Sequence, residues 1–326
     1  MKALLCTEIG PASQLSVQDV DDPAAGPGQV VLDVAAAGLN FPDTLIIEGK
    51  YQFKPDFPFS PGGEAAGVVS EVGDGVDGIS EGDRVIALSS HGAFAEKWAT
   101  DAGSVIPVPH GLDWSEAAAY GLTYGTSFYA LKNRVRLQPG ETLLVLGASG
   151  GVGSAAVELG KAMGATVIAA ASTPEKLEWA TDLGADHTIN YHNEDLRGRL
   201  AELTGGRGVD VVYDPVGGDV TETAVRSTAW NGRLAVVGFA AGDIPAIPLN
   251  LTLLKGMSIV GVFWGRSIMQ EEPALHHENF AEMAGMIADG RIRPRVSAEF
   301  SLDEYEEAFA LFTNRRVRGK AVFRIR

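Results

Sequence analysis

A glycine-rich turn follows a short apolar run and leads directly into residues that favour a helix. It consists of Gly147-Ala-Ser-Gly-Gly-Val-Gly153. A turn of this kind leaves backbone N–H groups unpaired at the positive end of a helix, where they can bind a pyrophosphate without any cationic side chain. The candidate binding residues are therefore Ser149, Gly150, Gly151 and Val152.

The turn does not match the G-x-G-x-x-G pattern, because Ala148 stands at the first glycine position. The sequence that follows the turn nevertheless favours a dinucleotide-binding fold. Apolar runs with high strand propensity alternate with helical runs as far as Phe263, as a succession of βαβ units requires. The alternative, a tight strand-to-helix turn in some other α/β domain, does not account for that alternation. We therefore expect a dinucleotide-binding domain.

The end of the second predicted strand, Ala165 to Ala171, indicates which dinucleotide is bound. Enzymes that use NAD usually carry Asp or Glu at this strand end, where it accepts the ribose 2′-hydroxyl. Here Ser172 follows the strand and Lys176 lies one turn into the next helix, so no carboxylate repels a 2′-phosphate. This favours NADPH. The alternative, Ser172 as a helix N-cap and Lys176 as a solvated residue, explains each residue but not the missing acid.

The chain of 326 residues exceeds the size at which one core keeps growing, so two domains are expected. Up to about residue 120 it is typical of a mainly β domain. One helix, from Trp114 to Leu131, then connects this domain to the next. The predicted strands of the first domain are Val30 to Val34, Gly67 to Val72, Arg84 to Leu88 and Phe94 to Ala99.

Six strands are predicted for the second domain, the number in a full dinucleotide-binding fold. After them a helix from Leu302 to Thr313 precedes the alternating run Lys320 to Arg326, which we expect to return to the first domain. The fold class is thus α/β, with a Rossmann-type six-stranded parallel sheet. Beyond the strands on either side of the glycine-rich turn, its strands are His187 to Asn190, Val209 to Asp214, Gly232 to Gly238 and Met257 to Phe263.

Composition excludes several classes of partner. The net charge is −16, with 42 acidic and 26 basic residues, so nucleic acid and anionic membrane surfaces are poor partners. The single cysteine, Cys6, excludes an internal disulfide and a cysteine-rich zinc site. No signal peptide or membrane-spanning run is evident, so we expect a soluble cytoplasmic protein.

Motifs along the whole chain resemble those of the medium-chain dehydrogenase/reductase superfamily, in particular its zinc-independent NADPH:quinone oxidoreductases, the zeta-crystallin-like branch. The resemblance implies a GroES-like catalytic domain at 1–123 with a C-terminal return at 264–326, and a Rossmann NADPH-binding domain at 124–263. The residues that carry it are Gly38-Leu-Asn40-Phe-Pro-Asp43, Glu48-Gly-Lys-Tyr51, Pro61-Gly-Gly-Glu64-Ala-Ala-Gly67, Glu81-Gly-Asp83-Arg84-Val85, Gly147 to Gly153, Gly184-Ala-Asp186, Ile189-Asn-Tyr191 and Gly319-Lys320.

The resemblance also bears on metal binding. In the zinc alcohol dehydrogenases of the superfamily, the ligand positions correspond to Asn40, Gly63 and approximately Leu122, which do not form a zinc ligand set. We therefore expect no metal. His276 and His277 do not alter this, because adjacent helical side chains diverge by about 100°. We interpret them as a solvated surface pair.

Family resemblance implies two catalytic residues, Asn40 and Tyr51. Asn40 would contact the nicotinamide ribose or the acceptor, although it could instead form an Asx-turn after a strand. Tyr51 could be a core or rim aromatic, but it precedes a Phe/Pro segment suited to a lid, and related enoyl-thioester reductases use a tyrosine here as proton donor. Further cofactor-binding residues implied are Asn40 itself, Thr126, Tyr191, Gly238, Phe239, Ala240, Phe263, Trp264, Gly265 and Arg315.

The expected function is NADPH-dependent, metal-free reduction of a quinone. Enones or enoyl-CoA esters are an alternative acceptor class, since they also take a hydride at an electron-poor position. A second alternative is a non-catalytic NADPH-binding protein like the lens crystallins. The apolar run from Met257 to Trp264 predicts an exposed sheet edge, and we expect two copies to pair there as a homodimer.

Overall fold

The computed structural model describes residues 1–267 and 271–326. The chain forms two compact units: the first consists of Met1–Leu122 and Ile268–Arg326, the second of Thr123–Ser267. In the part of the chain described, no helix is long and apolar enough to cross a membrane.

Strands and helices are numbered in chain order. The strands are β1 (Lys2–Leu5), β2 (Ser16–Asp19), β3 (Gln29–Leu39), β4 (Glu64–Val72), β5 (Arg84–Leu88), β6 (Lys97–Asp101), β7 (Val105–Pro107), β8 (Thr142–Leu146), β9 (Thr166–Ala171), β10 (His187–Asn190), β11 (Val209–Asp214), β12 (Thr228–Val236), β13 (Ser258–Gly261), β14 (Val296–Phe300) and β15 (Lys320–Arg324). The α-helices are α1 (Phe41–Ile47), α2 (Trp114–Ala118), α3 (Gly121–Phe128), α4 (Gly151–Ala162), α5 (Pro174–Asp182), α6 (Leu196–Leu203), α7 (Asp219–Arg226), α8 (Asn250–Lys255), α9 (Trp264–Arg266), α10 (Pro273–Ala288) and α11 (Tyr305–Thr313).

The first unit is built on a mixed sheet in the order β14-β15-β3-β4-β5-β7, with β6 paired to the first part of β3. Strand β15 runs parallel to β14 and antiparallel to β3. The C-terminal strand is therefore part of a sheet built mostly from the N-terminal region. Apolar residues that alternate along β3, among them Leu32 and Val34, pack with Phe94 and Phe323 in the core of this unit.

The second unit is built on a parallel sheet of six strands in its described residues, in the order β10-β9-β8-β11-β12-β13. Every neighbouring pair is parallel. Strands β8 and β9 are short, almost fully buried apolar runs, as is usual for the central strands of a parallel sheet. Leu144, Ile168, Val212 and Leu234 form the centre of this core. The predicted fold class, a Rossmann-type parallel sheet beside a mainly β domain, is confirmed.

The single helix predicted from Trp114 to Leu131 is wrong. The chain instead forms α2, a break, α3, and a π-helical stretch at Tyr129–Arg134. Gly121 begins α3 close to strand β5: a Cβ there would lie 2.8 Å from the Leu88 side chain and 3.2 Å from that of Ile86. The predicted range contains both α2 and α3, but the close approach of Gly121 to β5 is a contact between distant residues that local apolar spacing does not indicate.

Helix α10 overturns the interpretation of the histidine pair. His276 is buried, and its ring lies 4.8 Å from that of Phe280, whereas His277 is exposed. Adjacent side chains on a helix point in different directions, so a pair of polar residues can have one member in the core. A solvated surface pair is wrong for His276.

Candidate active site

The glycine-rich turn connects β8 to α4 in the second unit. Gly147 has φ +58°, a left-handed conformation that favours glycine. Gly150 N–H donates to the Gly147 carbonyl at 3.0 Å, and α4 starts at Gly151. A Cβ on Gly153 would lie only 2.2 Å from the Gly147 oxygen, so the start of α4 is packed against the end of β8. This geometry places the turn at the N-terminus of a helix of 12 residues, a position that favours negative charge.

Two residues predicted to recognise a 2′-phosphate lie together just after β9. Lys176 Nζ is 3.5 Å from Ser172 Oγ. Ser172 is not the N-cap of α5, because Thr173 is that residue and its side chain accepts from Lys176 N–H at 3.4 Å. Tyr191 N–H donates to the Ala171 carbonyl at 3.2 Å, which places it at the same end of the sheet. The alternative of Ser172 as the helix cap is therefore wrong.

Asp214, which was not predicted as a site residue, organises the loop after β11. Its carboxylate accepts the N–H groups of Val216 at 2.8 Å and Gly217 at 2.9 Å, and the Thr221 hydroxyl at 2.6 Å. This loop in turn binds the segment after β12, since Ala240 N–H donates to the Pro215 carbonyl at 3.1 Å. An Asp-Pro followed by Gly-Gly at a strand end was the signal in the sequence.

The other predicted cofactor residues lie after β12, around the start of α9, on α3 and after α11. Gly238 is half-buried, while Phe239 and Ala240 are exposed after β12. Phe263 is exposed, Trp264 is buried at the start of α9, and Gly265 is half-buried. Thr126 is half-buried on α3. Arg315 lies in the first unit, exposed, with φ +54° after α11.

Asn40 lies in the first unit, between β3 and α1, with its side chain buried. Its Oδ1 accepts from Lys320 Nζ at 2.7 Å, and its Nδ2 donates to Glu64 Oε1 at 2.7 Å and to the Gly38 carbonyl at 3.2 Å. An ammonium only donates and a carboxylate only accepts, so these partners fix which way the amide points. Both amide hydrogens are engaged, and Asn40 can offer a ligand only an acceptor lone pair. That fits a ribose hydroxyl better than an acceptor carbonyl.

Glu64 and Lys320 were motif residues in the sequence, but their pairing was not predicted. Lys320 Nζ donates to Glu64 Oε1, and Glu64 Oε2 accepts Leu122 N–H at 2.8 Å. Two glycines make room for this carboxylate. A Cβ on Gly38 would lie 2.5 Å from Glu64 Oε1, and one on Gly121 would lie 3.3 Å from Oε2.

Tyr51 follows α1 and is half-buried against the core of the first unit. Its ring centroid is 6.2 Å from that of Phe53. Burial raises the pKa of the Tyr51 phenol, and the negative charge of Asp43 raises it further. The Phe/Pro segment beyond it is held at its end, because Phe59 and Cys6 exchange backbone hydrogen bonds at 2.8 and 3.1 Å.

The residues at the corresponding zinc-ligand positions do not fit a zinc ion. Gly63 has no side chain and Leu122 has no donor atom. Asn40 accepts a hydrogen bond from the Lys320 ammonium, whose charge opposes a second cation at that place. Among the residues the structure describes, no group of three or more His, Cys, Asp or Glu could hold a metal.

Two family models match the chain. The alcohol dehydrogenase GroES-like domain matches residues 26–110, and the zinc-binding dehydrogenase domain matches residues 151–282. The second match begins at Gly151, within the glycine-rich turn, and contains the strands of the parallel sheet from β9 to β13.

Known proteins resemble the chain over most or all of its length. Quinone oxidoreductase-like protein 2 of Mus musculus is 38% identical over 326 residues, 100% of this chain and 92% of the relative. Quinone oxidoreductase of Pseudomonas aeruginosa is 35% identical over 309 residues, 94% of each chain. The crystal structure of Escherichia coli quinone oxidoreductase complexed with NADPH superposes with a TM-score of 0.91 at 30% identity, covering 100% of both chains.

Proposed function

The chain belongs to the quinone oxidoreductases of the medium-chain dehydrogenase/reductase superfamily, and from that membership we propose that it reduces quinones by metal-free hydride transfer from NADPH. NADPH, when bound, supplies the hydride. The residues of the chain bind the cofactor, orient the acceptor and exclude water from it.

The observation that carries the proposal is the contact of Lys320 with Asn40 and Glu64. An ammonium already lies against Asn40, the position that corresponds to a zinc ligand in related dehydrogenases. Without a Lewis acid, the acceptor must itself be electron-poor to take a hydride. Quinones meet that requirement, and a reduced quinone oxygen can take its proton from water.

NADPH fits the second unit. Gly150, whose own N–H is bonded to the Gly147 carbonyl, is the N-cap of α4, and the N–H groups of Gly151 and Val152 after it would bind the pyrophosphate. The Lys176 ammonium beside Ser172 would pair with the 2′-phosphate, with Tyr191 at the same end of the sheet. Asn40 would accept a hydrogen bond from the nicotinamide ribose. The remaining predicted cofactor contacts, at Thr126, Ser149, Gly238 to Ala240, Phe263 to Gly265 and Arg315, are part of the same proposal.

Tyr51 favours enones or enoyl-CoA esters as a second acceptor class. After hydride transfer to such an acceptor, a carbon atom must be protonated, and this step gains more from a placed acid than protonation of oxygen does. A half-buried phenol beside the Phe/Pro segment fits that role.

We also propose that two copies of the chain pair through β13. This strand is the last in the order of the parallel sheet, and β12 is its partner there. Large apolar side chains nearby are exposed, among them Leu253 on α8, Ile259 on β13 and Phe263. Edges of this kind are usually paired or covered, and a second copy across a two-fold axis would extend the sheet.

The buried single thiol, Cys6, is consistent with the cytoplasm, which cell fractionation would check.

NADPH consumption with a panel of quinones, enones and enoyl-CoA esters tests the function. Faster turnover with NADPH than with NADH, highest for quinones and unchanged by a zinc chelator, would support the proposal. Cofactor binding without turnover of any acceptor would instead favour a non-catalytic, crystallin-like protein. Loss of turnover on chelation would reject the metal-free mechanism.

A further inference from the structure

Three ionisable side chains lie buried together beside Asn40 in the first unit. Asp43 on α1, Glu64 at the start of β4 and Lys320 at the start of β15 are 2%, 0% and 4% exposed. Water therefore contributes little to the solvation of their charges, and the protein must compensate each one.

Lys320 compensates Glu64 directly. The two form an ion pair, and the other Glu64 oxygen accepts Leu122 N–H. Asp43 has a different environment, since its Oδ2 accepts Asn40 N–H at 2.7 Å and its carboxyl also receives Gly62 N–H. These are backbone dipoles rather than a cation.

The charges do not balance when all three groups are ionised. One ammonium and two carboxylates leave one buried negative charge in excess. A buried carboxyl in this situation takes up a proton rather than remain ionised. Asp43 is the carboxyl that takes up the proton, because the Lys320 ammonium is already paired with Glu64.

We propose that Asp43 takes up a proton in the resting enzyme and that this neutral form, rather than the ionised one, allows Tyr51 to release its own proton to the acceptor. The inference rests on the proposed function, in which Tyr51 is the acid for enones. In that step the electron pair of the carbanion forms the C–H bond, the Tyr51 O–H bond breaks, and its pair remains on the phenolate oxygen. Water then returns a proton to the phenolate. Asp43 acts through Tyr51 and does not touch the acceptor.

Electrostatics support this coupling. Burial raises the pKa of Asp43 to about 7, an effect that the Glu64 charge reinforces and that Lys320 and the N–H groups of Asn40 and Gly62 oppose. Burial raises the pKa of Tyr51, and an ionised Asp43 raises it further, so that Tyr51 holds its phenolic proton more tightly. Protonation of Asp43 removes its negative charge, and with it this further increase in the pKa of Tyr51.

Carbon-13 NMR of the full-length protein with labelled aspartate tests the charge state without cofactor or turnover. We expect one carboxyl resonance to titrate near pH 7 in the wild type and to be missing in Asp43→Asn. If every aspartate resonance titrates below about pH 5, close to the ordinary value, the inference is wrong. The wild-type titration decides this point even if Asp43→Asn does not fold.

Enone turnover between pH 6 and 9 then tests the coupling. Wild-type turnover should fall as pH rises through about 7. We call this fall the pH step, and it should be absent in Asp43→Asn and Tyr51→Phe. Asp56→Asn, at an exposed carboxylate after Tyr51, is the matched control and should keep the pH step. Persistence of the pH step in Asp43→Asn overturns the inference. A wild type that reduces no acceptor rejects the proposed function instead, and the NMR titration is unaffected by that result.

Discussion

Enones and quinones differ in how much they gain from Tyr51 as an acid, because only enones must be protonated at carbon. Replacing Tyr51 with Phe keeps the ring and removes the acid. If Tyr51 protonates carbon, Tyr51→Phe should lower enone turnover by about 10²- to 10⁴-fold and quinone turnover by less than about tenfold. Steady-state kinetics with both acceptors would measure this. Small effects on both would make Tyr51 a pocket wall, and large effects on both would suggest that it positions the nicotinamide.

At Lys176 the expected effect is on cofactor choice. A hydrogen bond to a charged group contributes about 1.5–3 kcal/mol, so Lys176→Ala should weaken NADPH binding by roughly tenfold to a hundredfold. NADH lacks the 2′-phosphate and should bind almost as before. Titration calorimetry with both cofactors would measure this, with Lys176→Arg as the control that retains the charge. Equal losses for both cofactors would mean that Lys176 stabilises α5 instead.

The glycine-rich turn can be tested as an element through Gly153. A Cβ at this position would meet the Gly147 carbonyl oxygen at 2.2 Å, whereas one at Gly150 would lie 3.5 Å from it. Gly153→Ala should therefore push α4 away from β8, destabilise the protein by about 1–3 kcal/mol and impair NADPH binding. Denaturant unfolding and binding would be measured together. Gly150→Ala is the control, and equal destabilisation by both would argue against the packing explanation.

Helix α10 makes stability depend on pH through His276. Burial lowers the pKa of His276 to about 4, with the charge of His277 as a smaller cause. Between pH 6.5 and 4 the unfolded chain binds a proton that the folded chain does not. The free energy of unfolding should thus fall by up to about 3 kcal/mol as pH falls through this range.

The comparison of His276→Leu with the wild type isolates this contribution, because Asp43 and the other groups titrate in both. The variant should lose less stability between pH 6.5 and 4 in urea unfolding. His192→Leu, at an exposed site, is the control and should follow the wild type. Parallel pH curves for His276→Leu and the wild type would contradict the expectation.

Sequence alone predicted those elements whose signals are local. The strands β5, β10 and β11 were predicted with their observed limits, since each is a short segment bounded by turn residues. The predicted strand from Met257 to Phe263 is shorter in the structure, because β13 pairs with β12 only over Ser258–Gly261. Where a strand pairs depends on its neighbour, which a local pattern does not contain.

The buried cluster in the first unit could not be predicted in the same way. Glu64 and Lys320 are 256 residues apart in sequence, and a lysine near an arginine-rich run is normally solvated. The resemblance indicated that both positions mattered, but it did not pair them. The binding roles of Asn40, Tyr51 and the cofactor residues remain predictions.

For the whole molecule, the proposed pairing of two copies through β13 can be tested at Ile259. The wild type should have about twice the 34.3 kDa mass of one chain in light scattering at micromolar concentration. Ile259→Glu should dissociate it, because a two-fold axis would bring two carboxylates together at an apolar edge. Ile9→Glu, at an exposed isoleucine of the first unit, should remain dimeric. A monomeric wild type would reject the pairing.

The position of Lys320 on β15 has a consequence for biosynthesis. The ribosome translates 256 residues between Glu64 and its ion-pair partner, which takes about 13–50 s at roughly 5–20 residues per second. All of the second unit is translated in that interval. Until Lys320 emerges, Glu64 lacks its cation and β3 lacks a neighbouring strand. Translation of the first unit therefore begins before that of the second, but the first unit can be completed only after the second.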